Sequence, residues 1–135
     1  MLSPAVPVQR SEVHSASGVV VLVRGDGSTV CERCVVANKM LPRMRGLLGR
    51  RSLPAGEGLL IRPAPSVHTF FMRFPIDVVF LSRAGEVLKV SADVGPWRAR
   101  SCRGAYAVLE LAAGEAERRG VAVGDHIEAE DPSLP

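Results

Sequence analysis

The longest purely aliphatic run in this chain is Val19 to Val23, and turn residues punctuate the sequence at intervals of roughly ten residues. Such a run is far short of the ~20 apolar residues that a membrane-crossing helix needs. Short runs between frequent turns suit a packed set of short strands. They do not suit an alternating βαβ array, which needs long amphipathic crossover helices. The fold expected is therefore mainly β: a compact sandwich or partly closed barrel. A chain of 135 residues supports one domain with a genuine core and no need of staples. With 47% hydrophobic and 23% charged residues, it lies well away from disordered composition.

Gly18 to Arg24 is rich in β-branched residues, turns at Gly25-Asp26-Gly27 and returns as Thr29 to Ala37, which reads as a hairpin. Met40, Met44, Leu47 and Leu48 recur at helical spacing. Asn38 reads as their helix cap, Pro42 as a first-turn residue, and Gly49 and Pro54 as the stop. Further strands are expected over Gly58–Ile61, Val67–Met72, Ile76–Ser82, Val87–Ala92, Tyr106–Leu111 and Ile127–Ala129. A second helix is expected over Ala112–Arg119, and a polar loop over Asp93–Gly104. The sum is seven or eight mostly antiparallel strands with two short helices. Residues 1–17 have no period and read as a flexible arm, 18–130 as the single domain and 131–135 as a tail. The first residues lack the basic start and apolar stretch of a signal peptide. The expected location is thus the cytoplasm, with Cys31, Cys34 and Cys102 as reduced thiols.

Three segments follow one another in order: "RGLLGRRSL" (Arg45–Leu53), "HTFFMRFPIDVVFLSRAGEV" (His68–Val87) and "VLELAAGEAERRGVAVGDHI" (Val108–Ile127). Together they resemble the bacterial and archaeal family called domain of unknown function 192. The resemblance implies a small, mainly β domain, often exported or membrane-tethered, with no established activity. This chain is expected to depart from that pattern in lacking a leader. It also carries Phe70-Phe71-Met72 where many members have an aromatic-Trp-Met version, and its Cys31/Cys34 pair lies outside the pattern.

The residues most suggestive of chemistry lie in "SVHTFFMRFPIDVVFL", 66–81. On a strand, Asp77 shares a face with Val79 and Leu81, opposite Ile76, Val78 and Phe80. A carboxylate there must be partnered or driven toward its neutral form. Two readings follow. Asp77 fastens the corner through backbone amides or Arg73, or it lines a pocket. His68 is expected to share a face with Phe70 and Met72, as a packed core group or a site member. Thr69 and Arg73 alternate opposite it, and Arg73 is the natural grip for an anion. The candidate ligand-binding set is His68, Thr69, Phe71, Arg73 and Asp77. If the protein is an enzyme, Asp77 and His68 are the acid and base of a hydrolase or lyase. No nucleophile elbow or phosphate loop accompanies them.

Cys31-x-x-Cys34 is the one metal-like spacing, but too few further ligands remain for a zinc site. On a regular strand the two thiols fall on opposite faces. They read as small hydrophobes ahead of a metal site or a redox pair, and neither metal nor cofactor is expected. Glu110 reads as a carboxylate at a helix start, favoured by the dipole. Asp125 reads as turn chemistry, with an exposed His126 beside it. Fifteen of seventeen basic residues are arginine, yet the net charge is only +3, which does not by itself imply nucleic acid, and nucleic acid is not the expected partner. The basic helix face at Lys39, Arg43, Arg45, Arg50 and Arg51 has no aromatics for base stacking. Trp97 with Arg98, Arg100 and Arg103 is the better recognition loop. The leading expectation is an accessory binding domain, taking a small molecule or protein segment in an aromatic-lined cleft near Phe70–Phe74. A basic-face RNA binder is the remaining alternative. Oligomeric state is not legible.

Overall fold

The computed structural model describes residues 18–37, 51–70 and 72–131. The helix expected after Asn38, with its arginine face, and Phe71 lie outside the described residues. Nine strands are present among them: β1 (Val19–Arg24), β2 (Thr29–Ala37), β3 (Glu57–Ile61), β4 (Ser66–His68), β5 (Ile76–Leu81), β6 (Val87–Val94), β7 (Ala99–Ser101), β8 (Ala107–Ala112) and β9 (Ile127–Glu130). One short helix, α1 (Glu115–Arg118), lies between β8 and β9. Seven strands form one sheet in the order β6-β5-β8-β3-β2-β1-β9, and β4 pairs with β7 apart from it. Every pairing is antiparallel except β2 with β3. The mainly β, sandwich-like expectation holds.

The sheet is curled, not closed. At the tip of the β5–β6 hairpin, Val87 N–H donates to the Asp125 carbonyl and Ile127 N–H to the Gly85 carbonyl, beside a Glu86–His126 bridge. The two edges of the sheet therefore meet at one corner. Inside the curl lies a core drawn from all seven strands, including Leu22, Cys31, Leu60, Val79, Val87, Leu109 and Ile127. The outer face carries a second core of Leu59, Ile61, Ile76, Val78, Phe80 and Val108, roofed by Val67, Met72 and Phe74. The alternation expected for β5 is the one found. Ile76, Val78 and Phe80 go to one core and Val79 and Leu81 to the other. Arg24 holds the far end of α1, donating to the Arg119 and Gly120 carbonyls.

Four local expectations are corrected. Val20 pairs with Cys34 and Leu22 with Cys31, so three steps on β2 face two on β1. This bulge breaks the alternation, and both thiols turn into the same core, fully buried, with Glu32 and Arg33 exposed between them. A hydrogen bond with the Cys34 thiol holds the Cys31 thiol below its ordinary range, against the effect of burial. The strand expected over Val67–Met72 ends at His68, and Met72 is turned into the core at 3% exposure. The expected polar loop contains β7, and β6 runs on to Val94. The helix expected from Ala112 begins only at Glu115, because β8 continues through Ala112, which pairs with Ile76.

Candidate functional site

β4 and β7 each have three residues and pair in the register Ser66–Ser101, Val67–Arg100 and His68–Ala99. Val67 anchors this ribbon in the outer core. After His68 the chain leaves the strand at Thr69, which is almost wholly buried. The reason is its hydrogen bonding. The Thr69 hydroxyl donates to the Gly95 carbonyl (2.6 Å) and accepts from Arg98 N–H (2.9 Å). The Thr69 amide donates to the Arg98 carbonyl, and its carbonyl accepts from Trp97 N–H. One side chain and its own peptide groups thus stitch the loop after β4 to the loop before β7.

This stitch holds Trp97 at φ 62°, a left-handed conformation that a bulky residue avoids unless its surroundings enforce it. The outcome is a row of rings. His68 and Phe70 lie 4.6 Å apart at 31°, and Phe70 and Trp97 lie 5.6 Å apart, stacked at 24°. Phe70 is 38% exposed and Trp97 55%. Of the three exposed large hydrophobic side chains among the described residues, two are in this row. Buried rings need no explanation, but adjacent exposed ones do. Beside the row is a concavity of about 330 Å³ lined by Ser66, Val67, His68, Phe70, Ala99, Arg100 and Ser101. Nδ1 of His68 has no hydrogen-bond partner among the described residues.

Of the five expected ligand-binding residues, the four that are described are not brought together. His68 lines the concavity. Thr69 lies behind it and shapes it. Phe71 is outside the described residues. Arg73 is exposed and does not line the concavity. Asp77 has no exposed surface and is occupied by backbone. Its Oδ1 accepts from Asp93 N–H (2.8 Å), and its Oδ2 accepts from Gly114 N–H (3.0 Å) and Ala116 N–H (2.9 Å). It therefore caps α1, whose own cap residue, Gly114, has no side chain to do so. Both oxygens are held by backbone amides, and Asp77 does not line the concavity that His68 lines.

Glu110 is also corrected. It lies inside β8, between Leu59 on β3 and Val78 on β5, not at a helix start. It is fully buried, and neither carboxylate oxygen has a partner among the described residues. Desolvation alone pushes its pKa up to about 8. Asp125 is turn chemistry as expected, accepting from Ala122 N–H and pairing with Arg24. In the sequence Phe70 lies in the aromatic segment and Trp97 in a basic loop, with nothing local to join them. Their meeting depends on the β4–β7 pairing, which has no local signal. The visible clue was a lone tryptophan in a polar, arginine-rich loop.

The model of the family described as "Uncharacterized ACR, COG1430" (DUF192) matches residues 21–129. Two solved structures share the fold. One is described as a candidate transcription regulator from Sinorhizobium meliloti 1021. It has 26% identity and a TM-score of 0.70, over 82% of this chain and 92% of that one. The other is a protein of unknown function from Novosphingobium aromaticivorans DSM 12444. It has 25% identity and a TM-score of 0.69, over 85% of this chain and 89% of that one. No curated protein matches the chain.

Proposed function

The chain belongs to the DUF192 family, and on that footing we propose that it is a binding domain whose ligand docks on the His68–Phe70–Trp97 row and into the adjoining concavity. The occupant is a small molecule or a short partner segment that presents a flat face. The observation that carries this reading is the exposed, stacked Phe70–Trp97 pair, held by a fully hydrogen-bonded Thr69 and a strained Trp97 backbone. Exposing two large rings forgoes their burial, on the order of 1.5–3 kcal/mol for a fully buried large apolar side chain. Strained backbone conformations tend to cluster at ligand sites. Few polar groups beside an apolar wall is the usual composition of a ligand pocket. Here those groups are the two serine hydroxyls, the His68 ring and Arg100.

A fragment library of uncharged planar rings and of saturated rings, screened by thermal shift, tests it. Planar fragments should stabilise the wild-type protein and lose that effect in Trp97→Leu. Stabilisation that is equal in both proteins, or absent throughout, would contradict the proposal.

A further inference from the structure

Resting on the binding reading above, we propose that the ring row takes a nucleotide unit: a planar heteroaromatic base carrying a phosphate, free or within a single strand.

Positive charge gathers at the same place as the rings. The two arms that build the ribbon, 62–76 and 95–109, contain no aspartate or glutamate, although the chain has 14 acidic residues. They hold Arg62, Arg73, Arg98, Arg100, Arg103 and His68. Arg73, Arg98 and Arg103 are exposed, and half-buried Arg100 lines the concavity together with Ser66 and Ser101. Lys89 adds a cation at the rim, its Nζ 3.1 Å from the Ser101 carbonyl. The first acid after each arm is withdrawn. Asp77 is buried beneath three amides, and Glu110 is buried and held largely neutral at pH 7. Asp93, two residues before the second arm, is exposed, but within the arms themselves every formal charge is positive, which the net charge of +3 does not show.

Other flat or anionic partners use half of the surface. A neutral sugar stacks on an indole but gains nothing from the arginines. An acidic peptide pairs with the arginines but leaves the rings idle. A base with its phosphate uses both, the ring by stacking and the phosphate through guanidinium donors. Ser66 and Ser101 add hydroxyls within the concavity for the sugar or base edge.

Trp97 is the single tryptophan, so its emission reports the site without a label. The full chain is titrated with AMP, UMP, adenosine, inorganic phosphate, and single- and double-stranded oligonucleotides. Saturable quenching by the nucleotides or by the single strand is expected, with adenosine and phosphate alone weaker. Single strands that bind more tightly than mononucleotides identify a strand as the source, and equal affinity identifies free nucleotide. With a labelled single strand followed by anisotropy, Trp97→Leu should weaken binding about 5- to 150-fold, the range of one lost base stack. Arg100→Ala should weaken it and reduce its salt dependence. If no nucleotide or strand binds while uncharged planar fragments still do, the nucleotide assignment fails and the binding reading stands. If neither binds, both fail. Duplex binding as tight as single-strand binding and indifferent to Trp97→Leu overturns the assignment.

Discussion

Asp77 and Glu110 are two carboxyl groups in one sheet with opposite solutions to burial. Asp77 meets three amides; Glu110 meets none among the described residues. Asp77→Asn replaces one acceptor oxygen with a donor that faces amides, so it should lower stability by roughly 2–3 kcal/mol in chemical denaturation. The folded fraction should bind ligand as before. For Glu110, the folded-state pKa of about 8 lies above its ordinary 4.5. Between those values the folded state holds more protons than the unfolded one, so its stabilisation is complete below about pH 4.5 and is lost as pH rises through about 8. Its slope inside that window reaches up to about 1.4 kcal/mol per pH unit. Urea denaturation across the window should show the decline, and Glu110→Gln should flatten it. A variant with an unchanged slope would contradict this. Alternation alone revealed that Asp77 needed a partner. It could not identify Gly114 and Ala116 as the partners, because they are remote in sequence. Glu110 was misplaced because Ala112-Ala113-Gly114 reads as helix locally, while pairing with β5 keeps Ala112 in the strand.

Elements are where pairing partners override local pattern. The β2 bulge is set by β1, so the shared face of Cys31 and Cys34 could not be read from β2 itself. The β5–β6 hairpin was plain from its Arg83–Glu86 turn, but its second role, joining the ends of the sheet, was not. Gly85 has φ 93°, and a Cβ there would run into the Ile127 carbonyl oxygen. Gly27 has nearly the same φ, 92°, with nothing near its Cβ position. Gly27→Ala should therefore cost only the conformational penalty, about 1 kcal/mol, while Gly85→Ala should cost roughly 2–3 kcal/mol. Thermal unfolding of the two variants measures the difference, and equal losses would mean that the corner contributes nothing. Thr69→Val keeps the shape but removes the hydroxyl that bridges Gly95 and Arg98. A loss of about 1–2 kcal/mol is expected, with lower steady-state polarisation of Trp97 emission as the loop loosens. Unchanged polarisation would remove Thr69 from its positioning role.

At the scale of the whole molecule, the curled sheet separates two duties. Its inner core and fastened corners supply stability, and the β4–β7 ribbon laid on the outer core presents rings and arginines. The strand rhythm made the β-rich fold legible. The site was only half legible, because its rings and charges lie on two arms that become neighbours only after folding. No helix among the described residues is long and apolar enough to cross a membrane. The most direct test of the binding surface is a nuclear magnetic resonance titration of the isotope-labelled full chain with a single-stranded oligonucleotide. The largest shifts are expected at the Trp97 indole N–H and at the backbone of Ser66, His68, Phe70 and Ala99–Ser101, with little change at β1 or β9. Shifts confined to other surfaces, or none at saturating concentration, would contradict it.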